Sequence, residues 1–315
     1  MRAALVEQIG EPPVVGEAAE PQRGEGQALV QVTAAAINPI DISISLGKFY
    51  AGVPEVPYVM GREGVGRVIE GDELEPGTQI WFPPAAGGTF ADYAVTDENQ
   101  AIVLPDGTDH SLAAALGIAG LTGWLAVEWR GHVRGGERVL VLGATGVVGL
   151  VAVQAARILG AGRIVAAGRD AAALEVARDL GADATVQLDG KRETSDLVEA
   201  GEGQFDVVID PLWGRAAEIA VPAAGFSGRY VQLGQSAGPE ATLRSGDIRG
   251  KSLAIMGFTL GHVPKDKTEA AYQRLIELAG SGELKVERET LPLDWAGEAW
   301  RRQQDSPHRK LVLVP

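Results

Sequence analysis

The sequence predicts an α/β fold of two domains: a doubly wound parallel sheet joined to a β-rich barrel. Three observations carry that expectation. Glu137 to Arg169 reads as strand, tight glycine turn, helix and second strand; strands and helices then alternate to about residue 259; and residues 1–117 hold short β-branched runs punctuated by Gly and Pro. At 315 residues the chain is also longer than one core usually fills. The sheet domain is therefore drawn over 118–259. The second domain takes 1–117 together with 260–315, because so short a C-terminal segment cannot build its own core.

The N-terminal runs are Ala3–Val6, Gln27–Val32, Gly66–Ile69, Gln79–Trp81, Phe90–Val95 and Ile102–Leu104. Leu112–Trp129 has helical spacing and leads into the glycine turn. Beyond Arg169 the pattern predicts helix at Ala171–Leu180, strand at Ala184–Val186, helix at Glu193–Glu199 and strand at Phe205–Asp210. Helix at Arg215–Val221, strands at Gly228–Leu233 and Ser252–Gly257, and a helix at Thr268–Ala279 follow. About six strands with interposed helices is the doubly wound count.

The turn reads Gly143-Ala144-Thr145-Gly146-Val147-Val148-Gly149. It departs from a strict G-x-G-x-x-G at Ala144, but its context matches, and a right-handed crossover between parallel strands needs this order. Glycines let a backbone approach a pyrophosphate, and the first N–H groups of the helix offer donors and a positive dipole end. A dinucleotide site is expected there. The second strand ends Ala166-Ala167-Gly168-Arg169. An arginine at that tip suits the 2′-phosphate of NADP, with Gly168 leaving room, so NADPH is the expected cofactor. If the strand ended one residue later, Asp170 would instead serve the ribose hydroxyl of NAD.

Composition excludes several classes. The net charge of −14 opposes nucleic-acid or anionic-membrane partners. There is no cysteine, which removes disulfides, thiolate zinc and a cysteine nucleophile, and the four histidines are scattered singly. No stretch is apolar enough to span a bilayer and the N-terminus lacks a signal-peptide core, so a cytoplasmic protein is expected.

AINPIDISISLGKFY (Ala36–Tyr50), GREGVG (Gly61–Gly66), GTFADYAV (Gly88–Val95), GLTGW (Gly120–Trp124), the crossover and the closing HRKLVLVP occur in that order. Together they resemble the medium-chain dehydrogenase/reductase superfamily and, within it, the zinc-free, zeta-crystallin-like quinone oxidoreductases. The resemblance covers essentially the whole chain. It implies a Rossmann domain beside a GroES-like β-barrel, and a homodimer paired through the edge strand Ser252–Gly257. Zinc-dependent relatives place a cysteine where this chain has Asn38 and a histidine where it has Arg62, so metal-assisted alcohol chemistry is disfavoured. Without a metal, the plausible acceptor is already electron-poor: a quinone or an α,β-unsaturated carbonyl that takes a hydride and spreads its charge.

The resemblance also assigns residues. Asn38 faces the nicotinamide and acceptor and donates to the developing oxyanion; its competing role is turn capping before Pro39. Tyr50 lines the acceptor site, or is simply packed. Asp41 positions the loop or caps a helix beginning at Ile42, and Arg62 with Glu63 forms a buried ion pair. Thr122 lies near the nicotinamide or bonds its own helix. Gly234, Gln235 and Phe258 follow sheet strands at the end where ligands bind, and Lys310 reaches the cofactor or is a solvated charge. Two other readings stay open: a metabolite-specific enoyl or alkenal reductase, and a crystallin-like protein that holds NADPH without turnover.

Overall fold

The computed structural model describes residues 1–189 and 194–315. Its first elements are β1 (Arg2–Val6), β2 (Val14–Glu17), β3 (Gln27–Ala36), α1 (Pro39–Ser45), β4 (Tyr58–Val59), β5 (Gly64–Glu70), β6 (Gln79–Phe82), β7 (Tyr93–Asp97) and β8 (Ile102–Val103). Next come α2 (His110–Leu116), α3 (Ile118–Leu125), β9 (Arg138–Leu142), α4 (Val147–Ile158), β10 (Arg163–Gly168), α5 (Ala171–Asp179), β11 (Ala184–Gln187), α6 (Thr194–Ala200) and β12 (Phe205–Asp210). The chain ends with α7 (Gly214–Ala220), β13 (Ala224–Gln232), α8 (Ser245–Arg249), β14 (Ala254–Gly257), α9 (Lys265–Ser281), β15 (Arg288–Pro292), α10 (Ala296–Gln304) and β16 (Lys310–Val314). Contacts group these into two units: Met1–Ala119 with Tyr272–Glu277 and Val286–Pro315, and Gly120–Ala271 with Leu278–Lys285.

The first unit is the GroES-like barrel, and β3 is its spine. Along β3, Ala28, Val30 and Val32 are buried while Gln31 is exposed, the alternation of a strand with one face on the core. It pairs antiparallel with β5, β7 and β16. Through β16, whose Leu311, Val312 and Leu313 are fully buried, the C-terminal segment joins this core. Two strands on β1 were not foreseen. Both β2 and the two-residue β4 are too short to show an alternating pattern.

The expected single helix over Leu112–Trp129 is instead α2, α3 and a π-helical turn at Ala126–Arg130. The break traces to a residue distant in the sequence. The N–H of Ile118 is donated to the Glu63 carboxylate at 2.6 Å and not back along the helix. Residues 260–271 group with the second unit, whereas the middle of α9 belongs to the first: Tyr272 donates its hydroxyl to Ala113 O at 2.7 Å and its ring lies 5.4 Å from that of Trp81.

The second unit is a six-stranded parallel sheet, ordered β11-β10-β9-β12-β13-β14. Val139–Leu142 of β9 and Val207–Ile209 of β12 are fully buried, the continuous apolar run of a parallel strand covered on both faces. Strand order reverses between β9 and β12, which defines the switch point where open α/β sheets bind ligands. The helix expected over Glu193–Glu199 is α6; Glu193 itself lies outside the described residues. Short α8 was unforeseen. Among the described residues no single helix is long and apolar enough to cross a membrane.

Candidate active site

The crossover β9–α4–β10 is built by backbone. Gly143 takes φ +58, and a Cβ on it would lie 3.0 Å from Pro211 and Leu212. Gly149 has still less room, since a Cβ there would stand 2.4 Å from Gly143 O and 2.6 Å from the Cα of Ala144. Ala144 is buried, its N–H bonded to Ala167 O at 3.0 Å, which ties the turn to β10. A Cβ on Gly168 would meet the Thr145 methyl at 2.8 Å. Gly146 differs from all of these. It is the N-cap of α4 with φ −88, and an added Cβ would meet only Gly143 O at an ordinary 3.6 Å. Folding does not require glycine there.

What Gly146 leaves open is the start of a twelve-residue helix, where the N–H groups of the first turn, Val147 and Val148 included, have no carbonyl one turn back. That donor set fits a pyrophosphate. Beyond β10, Asp170 is committed as N-cap of α5, accepting from Ala173 N at 3.0 Å. Arg169 is exposed, and its carbonyl accepts from Gln187 Nε2 at 3.0 Å.

Around the switch point, Asp210 closes β12. Its Oδ1 accepts from Leu212 N (2.7 Å) and Trp213 N (2.9 Å), and its Oδ2 accepts from Tyr230 OH (2.6 Å). Pro211 and Leu212 carbonyls bind Ser236 N and Ala237 N, and a Cβ on Gly234 would stand 2.5 Å from Pro211 O, so Gly234 is demanded by the close approach of two loops. Gln235 beside it is exposed. Phe258 is buried with its ring edge-on to Trp129 at 6.2 Å, a packing contact. Thr122 is half-buried in α3; among the described residues its hydroxyl bonds no protein group, so bonding back to its own helix is ruled out. Sequence reasoning passed over Asp210 and Trp213. An Asp-Pro at a strand end is their only local signal.

The first unit carries a buried polar cluster built by side chains. Asn38 is the N-cap of α1, 1% exposed, and its N–H is held by Asp41 Oδ2 at 2.8 Å, one half of a capping box. Its amide is fully used: Nδ2 donates to Ala36 O (3.1 Å) and Glu63 Oε1 (2.6 Å), while Oδ1 accepts from the Lys310 ammonium. Glu63 is fully buried, and its Oε2 accepts from Trp81 Nε1 (2.9 Å) and Ile118 N (2.6 Å). Only glycine fits beside it, since a Cβ on Gly117 would lie 1.8 Å from Glu63 Oε2.

Two acids and one base therefore share one apolar interior. Burial, opposed by Lys310 and its hydrogen bonds, pushes the Glu63 carboxyl up. Burial likewise raises Asp41 to about 7, with the Asn38 N–H and Lys310 pulling down and Glu63 pushing up. Lys310 is lowered by burial against the pull of both carboxylates. Donor counts decide which carboxyl holds the proton. Glu63 receives three donors, as a carboxylate wants; Asp41 receives one, and its Oδ1 is buried with no partner. Asp41 is the protonated member.

Several expectations are thereby corrected. Asn38 has no free N–H for an oxyanion, because both are spent on Ala36 and Glu63; it braces the cluster. Lys310 is not a solvated charge, being 3% exposed with its ammonium on Asn38. Arg62 and Glu63 form no ion pair: neighbours in extended chain point to opposite sides, so Arg62 is exposed while Glu63 is buried. The first helix begins at Pro39 and not at Ile42. Tyr50 is 80% exposed against Phe49, ring centroids 4.7 Å apart, so plain packing does not account for it. Among the described residues no three His, Cys, Asp or Glu side chains gather as metal ligands.

A parallel sheet with an open glycine cradle at its switch side, together with a barrel closed by the chain's C-terminus, defines a two-domain nucleotide-dependent dehydrogenase or reductase. Residues 147–279 match the family model of zinc-binding dehydrogenases, and residues 24–106 that of the alcohol dehydrogenase GroES-like domain. The chain is 30% identical to human quinone oxidoreductase, over 95% of this chain and 92% of that protein. It is also 30% identical to a zinc-type alcohol dehydrogenase-like protein of Schizosaccharomyces pombe, over 93% of this chain and 90% of that one. The solved Escherichia coli quinone oxidoreductase complexed with NADPH superposes with a TM-score of 0.91 at 24% identity, over 100% of both chains. This chain belongs to the medium-chain dehydrogenase/reductase superfamily, in its quinone oxidoreductase branch, and is an oxidoreductase.

Proposed function

We propose that the protein is an NADPH-dependent, zinc-independent reductase of quinones or α,β-unsaturated carbonyls, acting in the cytoplasm as a homodimer. The observation that carries the reading is the pairing of an unobstructed helix start at Gly146 with an exposed Arg169 at the tip of β10, beside an Asp170 already committed to capping α5. Bound there, NADPH would supply a hydride. The chain's own part is to grip pyrophosphate with the first turn of α4, to read the 2′-phosphate with Arg169, and to offer Thr122, Gly234, Gln235 and Phe258 as walls. Tyr50, exposed beside Phe49, is proposed to face an aromatic acceptor. The dimer is proposed to form on β14, an edge strand whose Ala254, Ile255 and Gly257 are exposed.

A second acceptor class has its own support. Mouse prostaglandin reductase-3 is 28% identical over 85% of this chain, and a Mycobacterium tuberculosis polyketide synthase subunit is 30% identical over 91% of it, although the chain spans only 13% of that subunit. An enone specific to one metabolite is therefore the alternative to a quinone. NADPH oxidation with 1,4-benzoquinone, 9,10-phenanthrenequinone and simple enones separates them. Calorimetry of wild type and Arg169→Ala tests the cofactor: the substitution is expected to weaken NADPH about tenfold or more, as for loss of a charged hydrogen-bond partner, and to leave NADH nearly unchanged. Equal losses would place phosphate recognition elsewhere, and NADPH binding without turnover on any acceptor would favour a crystallin-like holding protein.

A further inference from the structure

Among the described residues, five in the second unit other than glycine take a positive φ: His132, Glu202, Trp213, Ser227 and Ser252. Four of them lie before a strand or in its first four residues. Trp213 alone follows one, at the carboxyl end of β12, where open α/β sheets bind ligands. Its φ of +54 and ψ of −153 border a region that glycine enters freely and a bulky residue does not. Strain of that kind persists only where the surroundings over-determine it.

The surroundings of Trp213 do so. Its N–H is donated to Asp210 Oδ1 at 2.9 Å, Tyr230 donates its hydroxyl to Asp210 Oδ2 at 2.6 Å, and the Trp213 ring stands edge-on to that of Tyr230, centroids 6.3 Å apart. The three residues thus close on one another, with Asp210 and Tyr230 fully buried and Trp213 half-buried against the same apolar core as Tyr230. Only Pro211 and Leu212 lie between the two held ends, so the conformation at Trp213 fixes where both lie. Their side chains come to 3.0 Å from where a Gly143 Cβ would stand, and their carbonyls accept from Ser236 N at 3.3 Å and Ala237 N at 2.8 Å. The glycine turn after β9 and the loop after β13 therefore rest on the same two residues. Glycine at 213 would turn the chain without strain, so the turn itself does not call for tryptophan. What tryptophan adds is a ring that selects one conformation.

We propose that Trp213 is a positioning residue for the nucleotide: its enforced positive φ holds Pro211 and Leu212 against the Gly143 turn and so keeps the phosphate-gripping start of α4 in place. The proposal rests on the reductase reading above and deepens its cofactor site. Trp213 acts through Pro211 and Leu212, while Asp210 and Tyr230 fix Trp213 itself. A side chain that served packing alone would be indifferent to φ. One that serves φ can be replaced by the residue that adopts it without strain, and nucleotide binding then recovers although the ring packing does not.

The test compares Trp213→Ala and Trp213→Gly with wild type, by calorimetry with NADPH, thermal unfolding and steady-state kinetics with 9,10-phenanthrenequinone. Both variants lose the ring and are expected to lower the thermal midpoint. Alanine also relaxes towards negative φ, which leaves fewer molecules with the loop in place, so Trp213→Ala is expected to weaken NADPH about tenfold. Its KM for NADPH should rise to match, with kcat within about twofold of wild type. Glycine takes positive φ as readily as negative, so Trp213→Gly is expected to bind NADPH within about threefold of wild type. A Trp213→Gly affinity no better than that of Trp213→Ala, or no loss in Trp213→Ala, overturns the inference alone. If either variant does not fold, wild type decides: NADPH should slow hydrogen exchange of the Leu212 and Trp213 N–H groups about tenfold, and unchanged exchange there overturns the inference. Wild type that binds no NADPH overturns the cofactor reading and this inference with it.

Discussion

The glycine crossover of the second unit and the polar cluster of the first are both built around charge, by opposite means. At the crossover the working groups are backbone N–H donors, and the side chains that matter are the missing ones at Gly143, Gly146, Gly149 and Gly168. In the cluster the backbone is secondary, and charge is balanced by side chains brought together from residues 38, 41, 63 and 310. A site made of absent side chains can be disabled without harm to the fold. A site made of buried ions cannot, because each ion's solvation has been replaced by its neighbours.

The largest expected effect follows from that contrast. Lys310→Met keeps most of the side chain's volume and removes the only cation in the cluster, leaving the Glu63 carboxylate without a counter-charge. Breaking a buried ion set by removing one partner costs about 3–5 kcal/mol. Urea unfolding should show that loss. A loss below about 1 kcal/mol would mean that Lys310 is not compensating the carboxyls, and the description of the cluster as a balanced set would fail.

A second effect, also of the cluster, is its pH dependence. The folded-state pKa of Asp41 is raised, so folded protein keeps a proton that the unfolded chain releases near pH 4. Its contribution is complete below the ordinary carboxyl value and is lost as pH rises through about 7. The stability of wild type relative to Asp41→Asn should therefore decline between pH 4 and 7 and level off above. Asp109 has the opposite sign. Burial raises it, but Ser111, Leu112 N and Arg288 outweigh burial and hold it at about 2, so its contribution is present above the ordinary carboxyl value and is lost as pH falls through about 2. A wild-type to Asp41→Asn difference that rises with pH would reverse the assignment of the shared proton to Asp41.

The same contrast explains what could be read in the sequence. The crossover was legible nearly residue by residue, since strand, turn and helix are local and glycine is itself the signal: β9, α4 and β10 fall where expected, and Arg169 ends up exposed just past β10. The cluster was not. Asn38, Asp41, Glu63 and Lys310 were each visible as polar residues in apolar surroundings, but their partners lie 25 and 272 positions away along the chain, and no periodicity encodes such pairings. Asn38 was accordingly given an open amide and Glu63 the wrong partner. The break between α2 and α3 was hidden for the same reason, because it depends on a carboxylate fifty-five residues upstream.

The smallest expected effect on stability separates folding from binding within the crossover itself. Gly149→Ala and Gly146→Ala change the same atom in the same turn. At Gly149 the new methyl would stand 2.4 Å from Gly143 O, closer than real Cβ atoms come, and overpacking of this kind costs about 1–3 kcal/mol. At Gly146 the nearest atom is 3.6 Å away and φ is −88, which alanine adopts freely, so the cost is confined to a poorer N-cap, about 1 kcal/mol or less. Nucleotide affinity should rank the other way relative to stability. The Gly146 methyl would occupy the approach to the first N–H groups of α4, so NADPH binding measured by calorimetry should weaken about tenfold while the thermal midpoint barely moves. If Gly146→Ala instead binds NADPH like wild type, the helix start is not where phosphate sits, and the glycine there has neither a folding nor a binding reason in this structure.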